Sequence, residues 1–324
     1  MTTLMALKDL TVRFRTAGGA SITAIDRLNL SLDRGKVLGL IGESGSGKSV
    51  SLRAILRILP ERRTAIEGRI EVDGKDVLAL KGRPLADYRG GTVSMIFQEP
   101  ATALDPVFTI GQQIAESVMR HKGVSHTSAM ARALEMLELV KIPGARARLA
   151  NYPHEMSGGM RQRAMIALAL STDPQLLLAD EPTTALDATV QIQVILLLRE
   201  LQKELGMAAI FVTHDVGVAA EISDHVAVMY AGRIVEYGTA SDVLTAPRHP
   251  YTRGLLSSTV HGAEPGARIN AIPGMPPDLA RMPPGCAFGP RCAHRHEACA
   301  AAVPELRSLD GIRKAACTVV REAA

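Results

Sequence analysis

An α/β fold organised around a parallel sheet is predicted by three features of the sequence. Short, nearly all-apolar runs recur at 36–42 (KVLGLIG), 176–180 (LLLAD) and 208–213 (AAIFVT), as expected of strands covered on both faces. A stretch of helical period separates the first run from the second, and a stretch of alternating apolar and polar residues precedes them all.

The elements follow in chain order. Leu10, Val12 and Phe14, then Leu28, Leu30 and Leu32, alternate as in antiparallel strands with one buried face. The run at 36–42 leads into a helix striped by Val50, Ile55, Leu56 and Leu59. Met130, Ala133, Leu134, Leu137 and Val140 form one helical stripe, which Pro143-Gly144 ends, so 110–140 reads as a helical insertion. After LLLAD and AAIFVT, residues 226–237 predict a hairpin turned by Ala231-Gly232. A helix is expected around His249–Leu256. Pro273, Pro276, Pro277, Pro283, Pro284 and Pro290, interleaved with glycines, then predict a tail in irregular conformation. Four segments are expected: 1–98, the first part of the sheet domain with an antiparallel β subdomain; 99–172, a helical subdomain; 173–238, the rest of the sheet domain; and 239–324, a C-terminal extension.

The chain has 324 residues, 47% hydrophobic and 22% charged, with 37 Lys and Arg against 33 Asp and Glu. That length implies two or three packed units, and the balance excludes a disordered or nucleic-acid-coating protein. The opening MTTLMALKDLTVRF lacks the pattern of a secretory signal, so a cytoplasmic setting is expected. No apolar run approaches the roughly 20 residues of a membrane-spanning helix.

Gly42-Glu43-Ser44-Gly45-Ser46-Gly47-Lys48-Ser49 fits the P-loop pattern, between an apolar strand and a helix that continues at Val50. Glycines let the backbone turn its N–H groups inward on phosphate oxygens, and the helix adds the positive end of its dipole. Lys48 is expected to reach the outer phosphates and Ser49 to ligate Mg²⁺. The apolar strand at 176–180 presents Asp180 and then Glu181, which suit the Mg²⁺ shell and a base for the attacking water.

At residues 157–170, SGGMRQRAMIALAL, the chain resembles the signature motif of ABC-type ATPases. Ser157, Gly158 and Gly159 open a helix there, a second anion-receptive end. The resemblance implies a P-loop NTPase (RecA-like) core, binding of ATP and Mg²⁺, and a head-to-tail dimer in which each signature closes on the partner's ATP. Gln98 in FQEPATALDP matches the Q-loop glutamine near Mg²⁺ and the water, Thr184-Ala185-Leu186-Asp187 the D-loop, and His214 the switch histidine. Phe14 is the choice for the aromatic that stacks on adenine. Met160 replaces a glutamine common in the wider family, while Ser157 and the backbone amides keep the phosphate contact.

FQEPATALDP, DEPTTALD, HPYTRGLL at 249–256 and the cysteine tail are most similar to the ATPase subunits of dipeptide, oligopeptide and nickel importers. That similarity implies a related second ATPase subunit, two integral membrane permease subunits and an extracytoplasmic solute-binding protein as partners, with no nucleic acid. It places the chain peripherally on the cytoplasmic face of the inner membrane. Nickel or another small solute is the alternative cargo. A soluble ABC ATPase acting on DNA or ribosomes is the more distant rival, which a long coiled-coil insertion or a second cassette would favour.

All four cysteines, Cys286, Cys292, Cys299 and Cys317, lie near the C-terminus. Their spacing lacks the paired knuckles of a structural zinc site, and a reducing compartment disfavours disulfides. They could hold a [4Fe–4S] cluster, as in some similar peptide-importer ATPases, or zinc, or be buried free thiols. His294 and His296 are expected to be solvated.

Overall fold

The computed structural model describes residues 2–16, 18–183, 186–258 and 271–320. Two compact units divide the chain. One is built from residues 3–78 and 211–324, the other chiefly from 79–210. The strands among the described residues are β1 Thr3–Arg15, β2 Ser21–Asp33, β3 Val37–Ile41, β4 Thr64–Val72, β5 Lys75–Asp76, β6 Val93–Ile96, β7 Leu176–Asp180, β8 Ala208–Thr213, β9 His225–Tyr230, β10 Arg233–Thr239, β11 Arg307–Asp310 and β12 Arg313–Ala315.

In the first unit, β2, β1, β4 and β5 form an antiparallel sheet in that order. Leu10 faces Leu28 and Val12 faces Ile25 across β1 and β2, all four buried, so the alternation seen in the sequence marks the packed face. A second sheet contains, side by side in this order, β11, β12, β10, β9 and β3 of this unit. Here β3 lies parallel to β9, Leu40 opposite Ala227, and all five residues of β3 are buried, as its unbroken apolar run predicts. Strands β9 and β10 make the expected hairpin. Its turn residues Ala231 and Gly232 have φ of 47° and 82°, the left-handed pair that matches strand twist. Ile41, Val228, Tyr230, Tyr251 and Phe288 share one core cluster.

The tail departs in part from expectation. Residues 271–288 hold no helix or strand, but 298–301 are helical, and β11 and β12 form a hairpin that extends the sheet, with Glu236 of β10 opposite Ala315. The prolines end before this segment, and Gly311 at φ 50° makes the turn that Asp310-Gly311 signals. A buried ion pair anchors it. The Glu236 side chain is 0% exposed and the Arg313 side chain 5%, with 3.3 Å between them. The Glu236 carboxylate also accepts the backbone N–H groups of Arg248 and His249 at 2.8 Å each, which a buried charge requires.

In the second unit, β6 and β7 are parallel. Helices Ile110–Lys122, His126–Leu139, Gly158–Leu170 and Ala188–Leu205 bury Ile114, Met136, Leu137, Ile166 and Leu198. Side-chain N-caps from Thr109, Ser125, Ser157 and Asp187 start these four helices, each satisfying an otherwise orphaned amide.

Candidate functional site

Candidate site residues are found in each unit. In the first, the loop 42–47 links β3 to the helix Lys48–Ile55. Two glycines are required by close approach as well as by positive φ. A Cβ at Gly42 (φ 152°) would stand 2.2 Å from the Met229 carbonyl oxygen, and one at Gly47 (φ 107°) 2.8 Å from that of Ala24. The β9–β10 hairpin supports the loop from below, the Gly232 N–H donating to the Ser46 carbonyl at 2.8 Å. Buried Lys48 donates through Nζ to the carbonyls of Gly42 at 2.7 Å and Glu43 at 2.9 Å, which folds the ammonium over the loop. Ser44 and Gly45 are exposed, and Ser49 and Val50 are half-buried at the start of the helix. The loop thus offers backbone amides, an ammonium and a hydroxyl to a polyanion, the donor set a triphosphate with Mg²⁺ needs.

Phe14 is half-buried on β1, opposite Ile22 of β2 and Thr64 of β4. His214 is exposed directly after β8. The Asp215 carboxylate caps the helix Val216–Ile222 by accepting the N–H groups of Gly217 and Val218, so the backbone around His214 is fixed at both sides.

In the second unit, β7 ends in Asp180, 1% exposed, and Glu181 follows with φ 47°. A left-handed non-glycine residue costs of order 1–3 kcal/mol. Gln98, two residues past β6, donates through Nε2 to Glu181 Oε2 at 3.3 Å. The parallel pairing of β6 and β7 sets Ile96 opposite Ala179 and thereby brings the two side chains together. The Ser157 hydroxyl accepts the Met160 N–H at 3.3 Å and caps the helix of Gly158 and Gly159. Sequence reading missed Gln162 on that helix. It is 1% exposed and donates to the Pro182 carbonyl, tying the signature helix to the residues after Glu181. Of the D-loop match, Thr184 and Ala185 lie outside the described residues, while Asp187 accepts the Val190 N–H at 3.0 Å.

The four cysteines are free thiols. Burial pushes the Cys286 and Cys292 thiols up, and each also feels Cys299 and Cys317, so the four share one neighbourhood. Among the described residues, however, no three His, Cys, Asp or Glu side chains are placed to hold a metal ion. The donor chemistry suits iron–sulfur, but the placement of the sulfurs does not supply its geometry. His294 and His296 are exposed, and His296 Nε2 meets the Thr318 hydroxyl at 3.2 Å.

Residues 25–184 match the ABC transporter family, and residues 235–299 match the oligopeptide/dipeptide transporter C-terminal region. The chain is 49% identical over 301 residues to the oligopeptide transport ATP-binding protein of Salmonella typhimurium, covering 93% of this chain and 89% of that relative. It is 47% identical over 296 residues to its namesake in Bacillus subtilis, covering 91% and 82%. Among solved structures, an ATP-binding cassette captured as a dimer in a post-hydrolysis state with ADP and Pi superposes with a TM-score of 0.65 at 28% identity, covering 73% of this chain and 99% of that one.

Proposed function

This chain belongs to the family of ABC transporter ATP-binding proteins, and from that premise we propose that it is the ATP-hydrolysing subunit of an importer of peptides across the cytoplasmic membrane. The carrying observation for the cargo class is the match of residues 235–299 to the oligopeptide/dipeptide transporter C-terminal region. ATP hydrolysis is the family's chemistry.

The geometry of the residues in each unit supports the following roles. Backbone amides of the loop 42–49, other than that of Glu43, and the Lys48 ammonium bind and orient the triphosphate. Ser49, Gln98 and Asp180 are the residues that would hold Mg²⁺, which would supply charge neutralisation on the transferring phosphoryl group. Glu181 takes a proton from the attacking water, and Gln98, already hydrogen-bonded to it, keeps its carboxylate aimed. Ser157, Gly158 and Gly159 face the nucleotide of a related partner ATPase in a head-to-tail dimer, His214 contacts the γ-phosphate, and Phe14 stacks on adenine.

Among the described residues no helix is long and apolar enough to cross a membrane, which accords with peripheral attachment to two integral permease subunits on the cytoplasmic face of the inner membrane. An extracytoplasmic solute-binding protein would deliver the cargo. A [4Fe–4S] cluster in the tail would need the four thiols to converge further than they do among the described residues. The assembled importer tests the cargo: ATPase stimulation by a peptide-loaded binding protein is expected, and stimulation by nickel alone would move the assignment to the metal importers.

A further inference from the structure

The C-terminal tail reaches back to the phosphate loop through one arginine. The Arg291 side chain is 5% exposed, and its guanidinium makes a two-pronged pair with Glu43, Nη1 to Oε2 at 2.7 Å and Nη2 to Oε1 at 3.0 Å. The remaining donors go to the Pro273 carbonyl at 2.9 Å, the Tyr230 hydroxyl at 3.3 Å and the Ile272 carbonyl at 3.4 Å. All five guanidinium N–H groups thus have acceptors, the condition for burying this group. Only one of those partners is charged, and it is the second residue of the loop. The Glu43 backbone is fixed as well, its N–H donating to the Tyr251 hydroxyl at 2.8 Å.

Glu43 poses an electrostatic problem. A carboxylate at the leading turn of a polyanion-binding loop repels the ligand, and in the partly desolvated surroundings of the loop that repulsion is only weakly screened. Lys48 supplies one positive charge to the loop, and an unpaired Glu43 would cancel it. With Arg291 paired to Glu43, the carboxylate is neutralised in place and the loop's net side-chain charge returns to plus one. A lysine would neutralise the carboxylate without orienting it, because only the planar fork matches both carboxylate oxygens at once.

We propose that Arg291 is a positioning residue of the nucleotide site: from the tail it neutralises and orients Glu43, and thereby makes the loop receptive to the ATP polyanion. This rests on reading Gly42–Ser49 as the triphosphate cradle. The tail also sets Pro276, Pro277 and Leu279 beside the loop, but covering alone would not call for a fully satisfied guanidinium aimed at the loop's one acidic side chain.

The test is MgATP affinity of the full-length chain, read by displacement of trinitrophenyl-ATP. Lys48→Ala should lose binding, and wild-type affinity in that variant would sink the cradle reading itself. With the cradle intact, Arg291→Ala should weaken MgATP binding about tenfold, and KM should rise by more than turnover at saturating ATP falls. Arg291→Lys should recover part of the affinity. The deciding variant is Arg291→Ala combined with Glu43→Gln, which removes the stranded charge without restoring the tether. Recovery of most of the affinity supports neutralisation. An Arg291→Ala protein that binds like wild type, or a double variant as weak as Arg291→Ala, overturns the proposal. Should Arg291→Ala fail to fold, Glu43→Gln alone decides. It leaves the arginine's charge uncompensated beside the loop and should bind MgATP more tightly, whereas equal or weaker binding refutes the assignment.

Discussion

Acidification should loosen the C-terminal extension through His249. This side chain is 2% exposed, and burial lowers its pKa from 6.5 to about 4, opposed only by a hydrogen bond to the Ala316 backbone. Its Nδ1 accepts the Tyr251 N–H at 3.0 Å, an acceptor role open only to the neutral ring, so protonation also breaks the cap of the helix Pro250–Ser257. The unfolded chain, with an ordinary histidine, binds the proton more readily than the folded one. The stabilisation is therefore complete above about pH 6.5 and is lost as pH falls through that value toward 4. Linkage gives about 1.4 kcal/mol lost at pH 5.5 and roughly 3 kcal/mol by pH 4, taking 6.5 and 4 as the unfolded and folded values. Thermal unfolding at pH 7.5 and 5.5 measures it, with His249→Asn as the reference, because asparagine does not titrate and its side-chain oxygen can still cap the helix. The native protein should lose about 1.4 kcal/mol more than the variant, roughly 2–4 °C in Tm. Parallel curves would show that the ring is hydrated or already charged in the fold.

Three further perturbations address the loop and the tail. Gly47→Ala should abolish MgATP binding and cost about 1–3 kcal/mol of stability by calorimetry, since its Cβ would lie 2.8 Å from both the Ala24 oxygen and the Met229 methyl at φ 107°. Phe288→Ala should destabilise the tail by about 3–5 kcal/mol, because the ring is 4% exposed and packs at 5.4 Å from both Tyr230 and Tyr251; limited proteolysis should then cut within 271–320 before the rest of the chain. If the cysteines carry [4Fe–4S], protein purified without oxygen should absorb broadly near 400 nm, and iron-free, colourless protein from iron-replete cells removes the cluster.

What was legible in the sequence was local. The apolar runs that became β3 and β7 are five residues each and buried throughout, so composition alone declared them. The Ala231-Gly232 turn and the helix begun by Ser157 were equally plain, because their signals sit within four residues of the structure they cause. Gln98 and Glu181 could be paired only through the resemblance, being 83 residues apart. What escaped were non-local polar contacts. Arg291 and Glu43 are separated by 248 residues and Glu236 and Arg313 by 77, and no periodicity links such positions. Gln162 looked like one more polar residue in the signature until its amide was seen on the Pro182 carbonyl. The β11–β12 hairpin did announce itself in Asp310-Gly311, but the preceding prolines set the expectation of an irregular tail throughout.

The proposed division of labour between binding by the loop 42–49 and proton abstraction by Glu181 is tested most directly by Glu181→Gln. Equilibrium binding and steady-state hydrolysis of MgATP should be measured on the same preparation of the assembled importer. The amide keeps the size of the side chain and can still accept from Gln98 Nε2, but it cannot take a proton, so MgATP should bind with near-native affinity while turnover falls by about 10²- to 10⁴-fold. Hydrolysis at the native rate would contradict the assignment of the base and, with it, the proposed role of the Gln98–Glu181 pair.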